Sequence, residues 1–310
     1  MQNATRAICL LIFCLGGCFG FLRGQTLPCG EEGLYLIMSP SISKNSELFR
    51  VRIDTAQQDA DYELIGKLDR QIDAAGYSVA DGLIYGIDRN SRELIRIYPN
   101  AQTENLGRPL YLDTTLQYFA GTIGPQGRRL YVIGRDPFTT HDVQYFRIDL
   151  FSPDFVTGVA TLHSNSYVRI DDFAYDPLYG SVMGFNSLDQ RLVKISGGQV
   201  NDFNFLNTSN SKGMGSILFD GSAQLYGYGS GRGGANEGNL FTINKFNGAV
   251  EKFDGGPGQA WTDACACPYF VKFEKSISPQ QVLPFGEVRI VYRFQNHGGS
   301  SFSLESIRDT

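Results

Sequence analysis

The sequence has few of the residues on which many enzymes and nucleic-acid-binding proteins rely. Three histidines occur in 310 residues, which is few for an enzyme that uses imidazole for acid–base chemistry. Charged residues make up 19% of the chain, the formal net charge is −5, and no run of like charge indicates a charged tail or a membrane-binding patch. Because nucleic acids need a basic face, nucleic acid is excluded as the expected partner.

Long apolar runs are also missing after the N-terminus. No segment beyond residue 24 approaches about 18 consecutive apolar residues, so no transmembrane helix is expected there. At the start of the chain, Arg6 precedes an apolar stretch, Ala7–Leu15, that is too short to span a bilayer. This pattern predicts a signal peptide over residues 1–24 and an extracellular or cell-surface protein. The alternative is a lipoprotein signal in which Cys18 carries the lipid.

Cysteine is scarce once the predicted signal is set aside. Of six cysteines, three lie within the signal, and Cys29, Cys265 and Cys267 remain. These three are too few and too clustered for a structural zinc site with four protein ligands. In an oxidising compartment, we expect two of the three to form a disulfide.

Glycine and aromatic residues, by contrast, are abundant, with 36 Gly, 16 Tyr and 22 Phe. They recur in a unit in which a turn is followed by a strand that begins with a sequence similar to Gly-Leu-Tyr. Recurrence of one unit at a roughly fixed spacing indicates a repeat architecture. The equivalent positions are Tyr35, Tyr85, Tyr131, Met183 and Tyr226, at successive steps of 50, 46, 52 and 43 residues.

Each unit contains several predicted strands. Stretches such as Leu94–Ile97 and Leu192–Ile195 alternate apolar and polar residues, which predicts strands with one buried face. A less polar strand precedes each turn and a more variable strand ends each unit, giving four strands in about 40–50 residues, the size of a propeller blade. We therefore predict an all-β protein with few helices, a β-propeller of about five four-stranded blades. A sixth blade, a β-sandwich and an open meander are the alternatives.

The two ends of the repeat region are predicted to close the ring together. The first unit lacks its inner strand, because Gly-Leu-Tyr begins only four residues after Cys29, and a strand at Trp261–Cys265 would supply it. A blade built from both ends leaves no free sheet edge. A disulfide from Cys29 to Cys265 or Cys267 would lie across this junction, and the predicted propeller domain spans residues 25–268.

Several segments resemble a known family. Asp-Gly-x-Leu-Tyr-Gly turns, the closing segment 263–268 and the adjoining segment 275–279 resemble an uncharacterised N-terminal β-propeller family of bacterial surface proteins. The resemblance covers roughly residues 27–268. It implies a propeller presented at the N-terminus of a longer surface protein.

Residues 269–310 resemble a different unit. The stretches 273–279, 284–288 and 291–298 resemble the opening of the immunoglobulin-like repeat that is common in bacterial adhesin-like surface proteins. Phe285 departs from the pattern of that repeat, in which Pro and Gly are adjacent. Because about forty residues cannot complete a seven-stranded sandwich, we predict a partial β-sandwich segment.

Acidic residues recur on or beside the predicted inner strands, at Asp73, Asp171, Asp172 and Asp263. If these strands line a central channel, the carboxylates could gather there and hold a hard cation such as calcium. The alternative is that they accept hydrogen bonds from neighbouring amides, or are solvated. No other cofactor is indicated.

No catalytic constellation stands out, since the propeller region has two histidines, His141 and His163, and neither a Gly-x-Ser-x-Gly nor a His-Glu-x-x-His motif. We therefore predict a non-enzymatic binding or scaffold module, exported or at the cell surface, whose partner is an extracellular protein or glycan. The alternatives are a hydrolase or lyase that uses the acidic channel residues, and a structural spacer. Binding is expected to use variable loops, namely Ser39–Glu47, Asp136–Gln144 and Ser230–Asn239.

Overall fold

The computed structural model describes residues 26–29, 33–41, 43–139, 141–164, 167–176, 179, 181–196, 198–205, 214–221, 223–229, 237–267, 271–278 and 289–296. Their regular secondary structure is all strand apart from the short 3-10 helix Pro153–Phe155. The strands are β1 (Leu34–Ser39), β2 (Glu47–Asp54), β3 (Asp59–Lys67), β4 (Ile72–Ser78), β5 (Leu83–Asp88), β6 (Leu94–Ile97), β7 (Thr103–Asn105), β8 (Gln117–Ile123), β9 (Arg129–Arg135), β10 (Asp142–Asp149), β11 (Thr157–Thr161), β12 (Ile170–Asp176), β13 (Ser181–Asn186), β14 (Arg191–Ser196), β15 (Gln199–Phe205), β16 (Met214–Phe219), β17 (Leu225–Gly229), β18 (Asn239–Ile243), β19 (Val250–Gly255), β20 (Trp261–Ala266), β21 (Val271–Ser278) and β22 (Arg289–Asn296).

Within the described residues, twenty of these strands form five four-stranded antiparallel sheets, each of which is one blade of a β-propeller. Blade 1 has the strand order β20-β1-β2-β3, and blades 2 to 5 follow as β4–β7, β8–β11, β12–β15 and β16–β19. The inner strands β20, β4, β8, β12 and β16 contact one another in a closed ring. The predicted all-β propeller is therefore confirmed, with five blades.

The repeated position is a tyrosine in four blades and Met183 in blade 4, and it is buried in every blade except blade 3, where Tyr131 is half-buried. It lies on the second strand, opposite an inner-strand residue, and packs toward the next blade. Tyr35, for example, stacks on Tyr77 of blade 2 with ring centroids 5.9 Å apart. Burial of a side chain of this size contributes about 1.5–3 kcal/mol to stability. The five opposed pairs are Tyr35↔Cys265, Tyr85↔Gly76, Tyr131↔Thr122, Met183↔Ala174 and Tyr226↔Leu218.

The inner strands approach one another closely around the axis. At Gly121 on β8, an added Cβ would lie 2.1 Å from the carbonyl carbon of Ala74 on β4. At Gly76 on β4, it would lie 2.6 Å from the backbone nitrogen of Ile123 on β8. Only glycine fits such backbone contacts. β20 also contacts the inner strands of the two non-adjacent blades, β8 and β12, so the ring has little free space at its centre.

Both ends of the repeat region contribute to blade 1, as predicted. β20 pairs with β1 along its whole length, from Leu34↔Ala266 to Ser39↔Trp261. The ring therefore closes through backbone hydrogen bonds, and blade 1 has no missing inner strand.

A disulfide fixes this junction. Cys29 is bonded to Cys267, with the two Cα atoms 5.2 Å apart, whereas Cys265 is a free, buried thiol. Of the two predicted partners for Cys29, Cys267 is therefore the one observed. The hydroxyl of Tyr77 donates to the carbonyl of Leu27 at 2.8 Å, which ties the segment before Cys29 to blade 2.

Outside the propeller, β21 and β22 pair as a two-stranded antiparallel sheet, from Val271↔Asn296 to Ser278↔Arg289. Residues 1–25, 279–288 and 297–310 lie outside the described residues. The signal peptide, the immunoglobulin-like character of the tail and the domain boundaries therefore stay predictions.

We expect the disulfide to contribute strongly to stability. The bond joins residues 238 positions apart, and in the chain-entropy model cross-linking so long a loop stabilises the fold by about 5 kcal/mol. The double variant Cys29→Ser/Cys267→Ser should lose a free energy of unfolding of this order, measured by urea denaturation. Adding a thiol reductant should destabilise the wild type and leave the double variant unchanged; equal sensitivity of the two proteins would contradict the assignment.

Candidate functional site

The axis of the propeller is lined by backbone edges that have no neighbouring strand in their own sheet. Asp263 on β20 covers part of one such edge. Its Oδ2 accepts a hydrogen bond from the backbone N–H of Ala75 on β4, in the next blade, at 2.7 Å. Its Oδ1 accepts one from the adjacent Ala264 N–H at 2.8 Å. Asp263 is 1% exposed, so it joins blades 1 and 2 from inside the ring.

Asp172 on β12 has the equivalent role between blades 4 and 5. Its Oδ2 accepts a hydrogen bond from the N–H of Ile217 on β16 at 2.9 Å, and its Oδ1 accepts one from Phe173 at 2.7 Å. Asp172 is also 1% exposed. Asp172 and Asp263 therefore accept hydrogen bonds from neighbouring backbone amides, which was the alternative to cation binding for these acids.

Burial also decides the charge of the pair. Burial raises the pKa of Asp172 well above its usual range, and the nearby charge of Asp263 raises it further. Burial likewise raises the pKa of Asp263 well above its usual range, with the charge of Asp73 as the next contribution. The axial carboxyl pair therefore favours a protonated form, since two carboxylates cannot both ionise easily in a dry site.

Asp73 is held by an arginine at the end of the axis where the inner strands begin. Its Oδ2 lies 2.5 Å from Nε of Arg89. The Arg89 guanidinium lies over the ring of Trp261, 4.1 Å from the centroid, and Trp261 stacks on Phe119 at 6.1 Å. Trp261 and Phe119 belong to blades 1 and 3, which are not adjacent, so their stack crosses the axis. We call these four residues the axial mouth.

Asp171 lies at the rim of this mouth. Its Oδ1 is 3.3 Å from Nε of Arg169 and 3.5 Å from Nη2 of Arg135. Arg135 is 6% exposed, donates from Nε to Asp142 at 2.8 Å, and lies 4.8 Å from the centroid of Phe119. Asp171 is therefore part of a network of arginine contacts and does not join the axial pair.

Sequence reasoning found the four acids and missed the arginines that hold two of them. Arg89 follows directly on β5, and Arg135 ends β9, so the two occupy the same position in successive blades. That repetition was a usable signal, because an arginine in register at two blade positions indicates a common partner. Asp142 gave no such signal, since its partner Arg135 is seven residues away, across the β9–β10 turn.

The described residues contain no group of three or more His, Cys, Asp or Glu side chains suited to a metal ion. The carboxyl oxygens of the axial acids are taken up by amides and guanidinium groups. The calcium hypothesis stays a prediction, and these contacts give it no support.

Two of the loops predicted to bind a partner lie on one face of the ring. Ser39–Glu47 and Asp136–Gln144 each join the second and third strands of a blade, at the end where the inner strands begin. The third predicted loop, Ser230–Asn239, falls between β17 and β18 in the sequence, and most of it lies outside the described residues. The face with the first two loops, which we call the mouth face, also carries the axial mouth.

Aromatic side chains are exposed on the mouth face. Phe138 in the β9–β10 loop is 94% exposed. Nearby in sequence, His141 stacks on Tyr167 with ring centroids 4.0 Å apart, and Tyr167 is 73% exposed. Leu188, in the β13–β14 turn on the same face, is 52% exposed. Large exposed apolar groups beside a fixed arginine–aromatic mouth are typical of recognition surfaces.

The sequence matches one protein family across all five blades. Residues 35–249 match the family described as a repeat of unknown function, DUF6923. The chain belongs to this family. Trp261, Asp263 and the disulfide-bonded Cys29 and Cys267 lie outside the residues matched to the DUF6923 repeat. No curated protein sequence matches the chain.

Solved structures similar to this DUF6923 protein share its fold at very low identity. A protein of unknown function from Bacteroides thetaiotaomicron aligns with a TM-score of 0.51 and 8% identity, over 78% of this chain and 66% of that one. A nidogen/laminin complex aligns with a TM-score of 0.48 and 10% identity, over 79% of this chain and 84% of that one. A gluconolactonase from Xanthomonas campestris aligns with a TM-score of 0.44 and 10% identity, over 74% of this chain and 79% of that one. At such identities the likeness shows the fold alone.

The axial acids predict a pH dependence of stability. Because the pKa values of Asp172 and Asp263 are raised above the unfolded value of about 3.9, the folded protein binds more protons than the unfolded chain. Their contribution is therefore fully present below that value and is lost as pH rises through the raised pKa values. The free energy of unfolding should therefore decrease with pH in the wild type. In Asp263→Asn, we expect this dependence to be weaker by up to about 1.4 kcal/mol per pH unit for each proton removed. Urea denaturation from acid to neutral pH measures it.

A matched control separates this effect from general charge removal. Glu251→Gln on the exposed strand β19 should keep the wild-type slope, since Glu251 lies far out on blade 5. Asp263→Asn should also lose about 1–3 kcal/mol at all pH values, because an amide group cannot accept both backbone hydrogen bonds. A wild-type pH slope in Asp263→Asn would show that the axial pair is not protonated.

Proposed function

We propose that this protein is an exported, cell-surface binding module that contacts an extracellular protein or glycan through the mouth face and has no catalytic role. The observation that carries the proposal is the exposure of Phe138 and Tyr167 beside the loops of that face. Aromatic rings provide large contact area at low cost in side-chain entropy. Such rings on an exposed loop of a closed β-ring are well placed to bind a partner.

The rigidity of the mouth supports binding without large rearrangement. Arg89 is fixed by Asp73 and by two aromatic rings, and Arg135 is fixed by Asp142. A preformed site avoids the entropic cost of ordering on binding.

Several observations support export and surface display. The Cys29–Cys267 disulfide is typical of an oxidising compartment. No helix in the described part of the chain has the length and apolar character needed to cross a bilayer. The predicted signal at residues 1–24 and the adhesin-like resemblance of residues 269–310 agree with a module displayed at the surface.

The catalytic alternative has less support from the site. A hydrolase or lyase at the axis needs carboxylates that substrate can reach. Asp172 and Asp263 are each 1% exposed and Asp73 is 8% exposed, and Asp171 contacts two guanidinium groups. We therefore make no proposal of an axial reaction.

The proposal predicts that binding depends on the mouth face. A screen of the purified protein against extracellular matrix proteins and glycans should yield a ligand. Phe138→Ser and Leu188→Ser should each weaken its binding by about tenfold or more, as expected for apolar groups at the centre of an interface. Binding would be measured by isothermal titration or surface plasmon resonance.

Phe246→Ser provides the control, because Phe246 is 63% exposed in the β18–β19 turn at the opposite end of the strands. It should leave the affinity unchanged. Retention of full affinity in both mouth-face variants, or the absence of any ligand in the screen, would count against the proposed binding function.

A further inference from the structure

A second concave site lies between blades 3 and 4, at the opposite ends of the strands from the mouth face. A cleft of about 520 Å³ opens where β12 finishes and β13 begins. Its walls include Tyr131, Tyr145 and Arg147 from blade 3 and Tyr175 from blade 4. The volume lies within the range of about 300–1,000 Å³ that is usual for sites of small ligands.

The tyrosines form a layered aromatic wall. The rings of Tyr131 and Tyr145 are stacked, with centroids 5.6 Å apart and planes 11° from parallel. Tyr145 in turn contacts the buried ring of Phe173, with centroids 6.3 Å apart. Among the described residues, the hydroxyls of Tyr131, Tyr145 and Tyr175 have no hydrogen-bond partner, so this wall presents both ring surface and free hydroxyl groups.

Two other blades show how an arginine at the position of Arg147 can be neutralised. In blades 1 and 2, the third strand carries an arginine directly opposite the repeated tyrosine, and the fourth strand carries a glutamate opposite that arginine. Nη2 of Arg50 lies 2.5 Å from Oε2 of Glu63. Nη1 of Arg96 lies 3.0 Å from Oε2 of Glu104. In these two blades the cation is therefore neutralised within its own sheet.

Blade 3 keeps the arginine and lacks the glutamate. Arg147 lies opposite Tyr131, and the residue opposite Arg147 on β11 is Gly158. Nη2 of Arg147 lies 3.4 Å from the position that a Cβ on Gly158 would occupy. Among the described residues Arg147 has no ion pair, and the lining of the cleft contains no carboxylate. Lys194 of blade 4, which lies opposite Asn201, also lines the cleft. The cleft therefore has two cations and no carboxylate in a protein whose net charge is −5.

Backbone hydrogen bonds hold the two walls of the cleft together. His163, beyond β11, donates its N–H to Gly198 at 2.8 Å and accepts from the N–H of Val200 at 2.9 Å. On the inner side, the N–H of Tyr175 donates to Oγ1 of Thr122 at 3.2 Å. The cleft is thus joined at its inner and outer sides, so it exists before any ligand binds.

We propose that this cleft binds an acidic saccharide, whose carboxylate or sulfate pairs with Arg147 and whose sugar ring packs on the tyrosines. Arginine recognises planar or multidentate oxyanions through its fixed fork of donors. The C–H groups on the face of a sugar ring complement the negative face of an aromatic ring. Sugar hydroxyls can both donate to and accept from the free tyrosine hydroxyls, whereas a carboxylate or sulfate alone can only accept.

This site is separate from the mouth face and does not depend on the function proposed for it. The two are tested by different variants, so one can fail while the other stands. The test uses the full-length protein and four probes: trigalacturonate, a sulfated galactotriose, maltotriose and inorganic sulfate. Binding is measured by isothermal titration.

We expect trigalacturonate or the sulfated galactotriose to bind, and the stronger of the two identifies the acidic group. Maltotriose and inorganic sulfate should bind at least about tenfold more weakly, because each supplies only one of the two contacts. Arg147→Gln should weaken binding by about tenfold or more. Gly158→Glu rebuilds the ion pair of blades 1 and 2 and should have the same effect, while circular dichroism and the unfolding midpoint confirm that both variants fold.

Two controls define the specificity of the result. Arg128→Gln removes another exposed arginine of blade 3, whose guanidinium lies 4.9 Å from the ring centroid of Phe151, and should leave the affinity unchanged. Phe138→Ser on the mouth face should also leave it unchanged. The proposal is overturned if neither acidic saccharide binds, if maltotriose or sulfate binds equally well, or if folded Arg147→Gln and Gly158→Glu retain wild-type affinity.

Discussion

The fold depends on satisfying the inner edges of its five blades. Each inner strand pairs with the second strand of its blade on one side and faces the axis on the other. Backbone N–H groups buried on that free edge need acceptors, because an unpaired buried amide costs about 1–3 kcal/mol. The ring is too narrow for another strand, because β20 also contacts the inner strands of the two non-adjacent blades, β8 and β12. Side chains of Asp172 and Asp263 supply acceptors instead, and each reaches the amide of the next blade.

This structural use of the axial acids moves recognition away from the centre of the ring. A carboxyl group that accepts amides from two strands cannot move toward a ligand without exposing those amides. The arginines around the mouth are fixed in the same way, since Arg89 and Arg135 are each paired with a buried aspartate. The residues that remain free to contact a partner are therefore those of the loops and of the gaps between blades.

Features that depend on a local, repeated sequence pattern could be predicted from the sequence. The recurring turn predicted a less polar inner strand before each copy, and the absence of such a strand beside Tyr35 indicated that Trp261–Cys265 supplies it; the sheets confirm both. Contacts between blades were not predictable in this way. Asp263 and Ala75 are 188 residues apart, and no local pattern reveals that one accepts a hydrogen bond from the other. The choice between Cys265 and Cys267 had the same difficulty, because residues two apart along a strand lie on the same face and alternation does not distinguish them. The structure pairs Cys29 with Cys267, which directly follows β20.

Differences between blades carry information that a single domain without repeats does not offer. Blades 1 and 2 neutralise the cation of the third strand, since Arg50 and Arg96 pair with glutamates on the fourth strand. The other three blades differ, because Arg147 faces Gly158 in blade 3, Lys194 faces Asn201 in blade 4 and Thr242 faces Glu251 in blade 5. A missing glutamate alone would leave a solvated arginine with little effect on stability. Beside a preformed tyrosine-lined cleft, however, it leaves the cation at a space that a ligand can fill. The position of Arg147 in the cleft, and not the missing pair alone, therefore supports a binding role.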